Sequence, residues 1–100
     1  MATTTKALAR IAAATSSTTL YTVPSATTTV VTNIVVTNSA ASAGTFTITL
    51  DGVDLFKTVA IAANTTAMFD LKQVLATTKI IAGLASAVTV SFHISGVEIA

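Results

Sequence analysis

Between residues 45 and 50 the chain alternates threonine with Phe46, Ile48 and Leu50, and Asp51-Gly52 follows directly. Successive side chains of an extended strand point to opposite faces, so this alternation predicts a strand with one buried face. Asp-Gly between two such runs predicts a two-residue hairpin, because both central residues of a type I′ turn need positive φ. The second arm covers 53–61, with Val53, Leu55 and Val59 assigned inward and Phe56 outward.

The same pattern recurs along the chain. Further strands are expected at 7–14, 18–23, 27–38, 66–71, 79–84 and 87–99. In the first, Ala7, Ala9, Ile11 and Ala13 share one face. Pro24 ends the second, since proline donates no ladder hydrogen bond. The third is apolar on both faces (Val30, Val31, Ile34, Val35, Val36), as a central strand requires. Residues 72–76 read as one helical turn. In the last strand Val88, Val90, Phe92 and Ile94 point inward, and Gly96 is expected to form a bulge after which Val97 and Ile99 resume the apolar phase. The expected fold is all-β: a single antiparallel β-sandwich or jelly roll of about 7–9 short strands. Residues 1–6 are expected to form an extended N-terminal arm, and 7–100 the domain.

Hydrophobic residues make up 52% of the chain and charged residues 9%, against roughly 25% charged in typical domains. No apolar run approaches the about 20 residues of a spanning helix. A membrane barrel would want aromatic girdles, whereas the chain has one tyrosine and no tryptophan. A net charge of +1 offers no field for nucleic acid or an anionic membrane surface. The expectation is therefore no nucleic-acid partner and no membrane partner.

Catalytic chemistry is sparse. The acids are Asp51, Asp54, Asp70 and Glu98, and there is no cysteine. Asp51 belongs to the turn, and Asp70 is expected to pair with Lys72 on the strand surface. His93 is the sole histidine, so no histidine cluster is available to a metal. No catalytic residue, cofactor or metal is expected, and the chain is not expected to be an enzyme.

The outward positions are more informative. Threonine and alanine stand where a soluble monomer would carry charge, and neutral edges guard poorly against strand pairing. Candidate interface residues are Thr3, Thr4, Thr5 and Lys6 in the arm, Thr45, Thr47 and Thr49 on the hairpin, and Phe56 and Met68. If the strand phase is shifted by one, Phe56 and Met68 belong instead to the core.

The segments "LYTVP" (20–24), "TTVVTNIVVTN" (28–38), "AIAANTTAMFDLKQVLATTKI" (60–80) and "ASAVTVSFHISGVEI" (85–99) resemble a family of small tailed-phage virion proteins. The chain departs from that pattern at Ser25-Ala26, where a glycine is expected, and near Lys79, where relatives carry a Gly-Asp turn. The resemblance implies a β-sandwich structural protein of the virion, assembled in the host cytoplasm, without enzymatic activity. The leading expectation is a capsid decoration (cement) protein, a homo-oligomer and specifically a homotrimer, bound to the major capsid protein. The alternatives are a tail, neck or fibre component bound to another virion protein, and a sandwich that binds a small ligand or glycan.

Overall fold

The computed structural model describes residues 2–100. It contains eight strands: β1 (Thr3–Ala12), β2 (Thr18–Thr22), β3 (Thr28–Asn38), β4 (Gly44–Leu50), β5 (Val53–Ile61), β6 (Thr65–Leu75), β7 (Ile80–Ala85) and β8 (Val90–Ile99). One sheet has the order β1-β8-β3-β6 and the other β2-β7-β4-β5, and every recorded pairing is antiparallel. The first strand pairs with the last, the second with the seventh, the third with the sixth and the fourth with the fifth. A long hairpin closed at the β4–β5 turn and then rolled up gives this order, which is that of a jelly roll. The turn itself is as expected, with Asp51 at φ 54° and Gly52 at φ 74°.

The core lies between the sheets. Val31, Ile34, Val36, Ile48, Ile81, Val90, Phe92 and Ile94 are fully enclosed. β3 is central, between β8 and β6. All four phenylalanines meet there: the Phe46 ring lies 5.8 Å from Phe56, 6.2 Å from Phe69 and 6.3 Å from Phe92. The accessible surface is 5229 Å², close to the about 5,300 Å² of a folded monomer of this mass. The chain therefore closes its own core without a partner.

Bulges account for most departures from simple alternation. On β5, Thr49 pairs with Asp54 but Ile48 with Phe56, and Phe46 then pairs with Val59. Each step inserts an extra β5 residue and reverses its phase. Phe56 consequently turns inward, while Val53 at the rim is 68% exposed. In β1 the bulge lies between Ala7 and Ala9, so Leu8 is buried and Ile11 is 46% exposed. β6 extends to Leu75, replacing the helical turn expected at 72–76. β8 keeps a regular alternation through Gly96. Its neighbours carry the irregularities, at Ala7/Ala9 and at Val31/Asn33. Glu98 therefore faces inward, and Val97 and Ile99 outward. Val88 precedes β8 and is 64% exposed.

The segment expected as a free arm is instead an edge strand, except Met1, which lies outside the described residues. Thr3 pairs with Ile99, Thr4 with Glu98, Thr5 with Val97 and Lys6 with Gly96. Its threonines need no external partner because β8 supplies the ladder.

Side chains tie the loops at both ends of the sandwich. Asn38, 1% exposed, donates from Nδ2 to the Ser42 carbonyl at 2.9 Å and accepts at Oδ1 from the Ala40 amide at 3.0 Å. At the other end the Thr77 hydroxyl donates to the Thr27 carbonyl at 2.7 Å and accepts from the Thr27 amide at 3.1 Å.

Two turns hold left-handed backbone at residues other than glycine. Ala26 has φ 53° and Thr78 has φ 69°. A Cβ there crowds the neighbouring carbonyl, at a cost of roughly 1–2 kcal/mol. Ala26→Gly and Thr78→Gly should each raise stability by about 1 kcal/mol, after the greater entropy of glycine in the unfolded chain is subtracted. Urea denaturation checks this; lower midpoints would contradict it.

Candidate functional site

The fold disperses the expected interface residues. Thr45 and Thr49 are half-buried on the outer face of the β2-β7-β4-β5 sheet. Thr47 is only 7% exposed, and its hydroxyl accepts the Thr58 amide at 2.9 Å. That bond satisfies the β5 bulge, where Thr58 holds φ 49°, so Thr47 serves the hairpin and is not presented outward. Phe56 turns inward, half-buried, and packs against the core, its ring 4.5 Å from Phe69. Met68 does face outward, 75% exposed, but on the other sheet.

The outer face of β1-β8-β3-β6 gathers more of the set. One cross-strand row runs Thr5, Val97, Val30, Val74. Another runs Arg10, His93, Val35, Met68. Thr3 stands beside Ile99 at the end. Thr4 and Lys6, opposite Glu98 and Gly96, have the inward phase at the sheet edge. Val74 is 67% exposed, whereas Val30, Val35 and Val97 are half-buried among their neighbours. The face is thus largely apolar or neutral, with charge limited to Arg10, Asp70 and Lys72. Asp70 and Lys72 do not form the expected ion pair; among the described residues the pairs are Lys6–Glu98 and Lys79–Asp51. Asp70 instead accepts from Asn33 Nδ2 at 3.4 Å. Two open grooves flank the β3 irregularity at Thr32. One, of about 380 Å³, is lined by Asp70, Leu71 and Lys72, and the other, of about 430 Å³, includes Lys6 and Arg10.

A polar cluster at the end of the sandwich was not anticipated. Tyr21, 9% exposed, shares a 2.8 Å hydrogen bond with Thr29 and donates its hydroxyl to Glu98. Lys6 Nζ reaches the same carboxylate at 3.3 Å. Strict alternation carried past Gly96 would have placed Glu98 inward; the assumed bulge there concealed it. The Tyr21 hydrogen bond, followed by the Lys6 contact, holds the Glu98 carboxyl below its ordinary range against some desolvation. Burial, then the Glu98 hydrogen bond, raises the Tyr21 phenol.

A depressed carboxyl stabilises the fold above its unfolded pKa, about 4.3, and that contribution disappears as pH falls through the folded value. A raised phenol stabilises below about pH 10 and loses that contribution above it. Denaturation midpoints should therefore fall on both sides of a neutral plateau. Glu98→Gln should flatten the acid limb, and an unchanged slope below about pH 4 would refute this assignment.

Among the described residues no three His, Asp or Glu side chains come together as a metal would need. No family model and no curated protein matches this chain.

Proposed function

We propose that this protein is a structural component of a tailed-phage virion, a capsid decoration protein that clamps neighbouring subunits of the major capsid protein, with three copies grouped at each attachment point. The observation that carries this reading is the outer face of β1-β8-β3-β6. It spans four long strands, presents valine, threonine and methionine, and has very few charges. A monomer that closes its own core has no internal use for such a face, and neutral apolar surface favours association. The jelly-roll order agrees with the proposal without deciding it, since one fold serves many functions. Cohesion is the mechanism: each contact is modest, and repetition across a lattice multiplies it.

Counting copies per purified particle tests this. On the order of hundreds, tracking the symmetry of the capsid shell, supports decoration. A few copies to a few dozen would move the protein to a tail, neck or fibre. Absence from particles would overturn the virion reading.

A further inference from the structure

The irregularities of the β1-β8-β3-β6 sheet fall at one level. In β1 the register shifts between Ala7 and Ala9, opposite Ser95 and Ile94 of β8. In β3 it shifts between Val31 and Asn33, opposite Gly96 and Ser95. In β6 it shifts between Asp70 and Gln73, opposite the same two β3 residues. A bulge bends its own strand and interrupts the ladder beside it. Three bulges in line therefore leave a trough running across the strands, and the two grooves that meet at Thr32 are its halves. The floor of the larger half is made of small residues, Ala7, Ser95 and Gly96. It is held in place by the Thr32 hydroxyl, which donates to the Ser95 carbonyl at 3.3 Å.

The trough also collects the charge that the rest of the chain does not cancel. Five cations and four acids leave a net charge of +1. Lys6 pairs with Glu98 and Lys79 with Asp51. Lys57 and Asp54 offset each other on β5, in the other sheet. What remains is Arg10 at the β1 end of the trough, and Lys72 with Asp70 at the β6 end. Among the described residues, neither Arg10 nor Lys72 enters an ion pair. β1 and β6 are the two edges of this sheet, so the cations stand about 14 Å apart across three inter-strand spacings. The lining between them is neutral, with Thr32, Ser95 and Gly96.

We infer that the trough binds an extended acidic segment of another protein, laid across the strands with one carboxylate at each end. An extended chain advances about 3.3 Å per residue, with alternate side chains on one face. Acids four residues apart are therefore spaced by about 13 Å and meet both cations from the same face. Arg10 takes one carboxylate through its guanidinium fork, and Lys72 takes the other. A nucleic-acid strand fits less well. It carries one charge per about 3.4 Å of axis, which would set phosphates over the neutral floor and against Asp70. A second copy does not supply the segment, since no two of Asp51, Asp54, Asp70 and Glu98 stand four residues apart. The inference rests on the reading of this face as a contact surface and adds the chemistry of the partner. It does not require that partner to be a capsid protein.

Titrating the isotopically labelled protein with the peptide acetyl-Gly-Asp-Ser-Val-Ser-Asp-Gly-amide tests it. Amide signals of Ala7, Thr32, Lys72, Ser95 and Gly96 should shift together, with a Kd on the order of 0.1–1 mM. Arg10→Gln and Lys72→Gln, both at exposed positions, should each weaken binding roughly two- to fivefold, and the double variant roughly tenfold. The same peptide with both aspartates replaced by asparagine should not bind. No shifts at about 5 mM peptide, shifts confined to other residues, or equal binding by the asparagine peptide or the double variant would overturn the assignment. Tighter binding of a single-stranded oligonucleotide to the same residues would overturn it too. Copy counting on particles separates this inference from the virion reading. A protein present in high copy that ignores the peptide keeps decoration and loses the acidic segment. One that binds the peptide but is absent from particles does the reverse.

Discussion

Phe56→Asp is expected to unfold the domain. The Phe56 ring lies 4.5 Å from Phe69 and 5.8 Å from Phe46, so it bridges β5 to both sheets. Removing a core aromatic ring costs about 3–5 kcal/mol, and the half-buried Phe56 falls toward the lower end. Placing an unpaired carboxylate in the same position adds several more. Together these match the whole stability of a typical domain, about 5–15 kcal/mol. The measurement is a thermal melt followed by circular dichroism, in which the cooperative transition should be absent at 25 °C. Val53→Asp is the control. Three positions earlier in the same strand, Val53 is 68% exposed, and the substitution should change stability by no more than about 0.5 kcal/mol. A folded Phe56→Asp variant with a wild-type melt would mean that β5 does not have the phase described.

That contrast shows what sequence pattern can convey. Strand existence was legible wherever β-branched residues alternate: the β4–β5 hairpin, the central position of β3 and the inward face of Val90, Phe92 and Ile94 were all readable. The sense of each face was legible only as far as the next bulge. β5 holds two, and its threonine at positive φ is satisfied by Thr47 across the ladder, a long-range bond that no local pattern announces. Asn38 ends β3 as a turn signal would suggest, but its role in holding two loops depends on where the β5–β6 turn arrives. The outward placement of Met68 was readable because β6 alternates from Ala67 to Leu71, before its register with β3 shifts between Asp70 and Gln73. The companion row of Val30, Val74 and Val97 was not, because it forms only once β6, β3 and β8 lie side by side, and strand order is not written in local periodicity.

Gly96→Ala should be the most damaging single-methyl addition in the protein, and the reason is where the obstruction lies. Gly96 has ordinary backbone geometry; among the described residues the glycine at positive φ is Gly52. Its difficulty is space. A Cβ at Gly96 would run into the carbonyl oxygen of Val30, with the carbonyl carbon at 3.2 Å and Leu8 Cδ1 at 2.9 Å. Leu8 could rotate away. Val30 cannot, because β3 is hydrogen-bonded to β8 on one side and β6 on the other, and moving its carbonyl disrupts ladders on both. The irregularities of β1 and β3 lie close by, opposite Ser95–Ile94 and Gly96–Ser95 of β8. Overpacking a core typically costs 1–3 kcal/mol, and a rigid backbone obstacle places this variant at about 3 kcal/mol or more. For a domain of this size that corresponds to a melting temperature lower by roughly 12–24 °C. Gly52→Ala separates the two causes. Nothing lies near its Cβ, yet φ is 74°, so only conformational strain applies and the loss should be about 1 kcal/mol. If Gly96→Ala costs no more than Gly52→Ala, then β8 can move away from β3. The inward path of Glu98, two residues further on, would then not be held by this close approach.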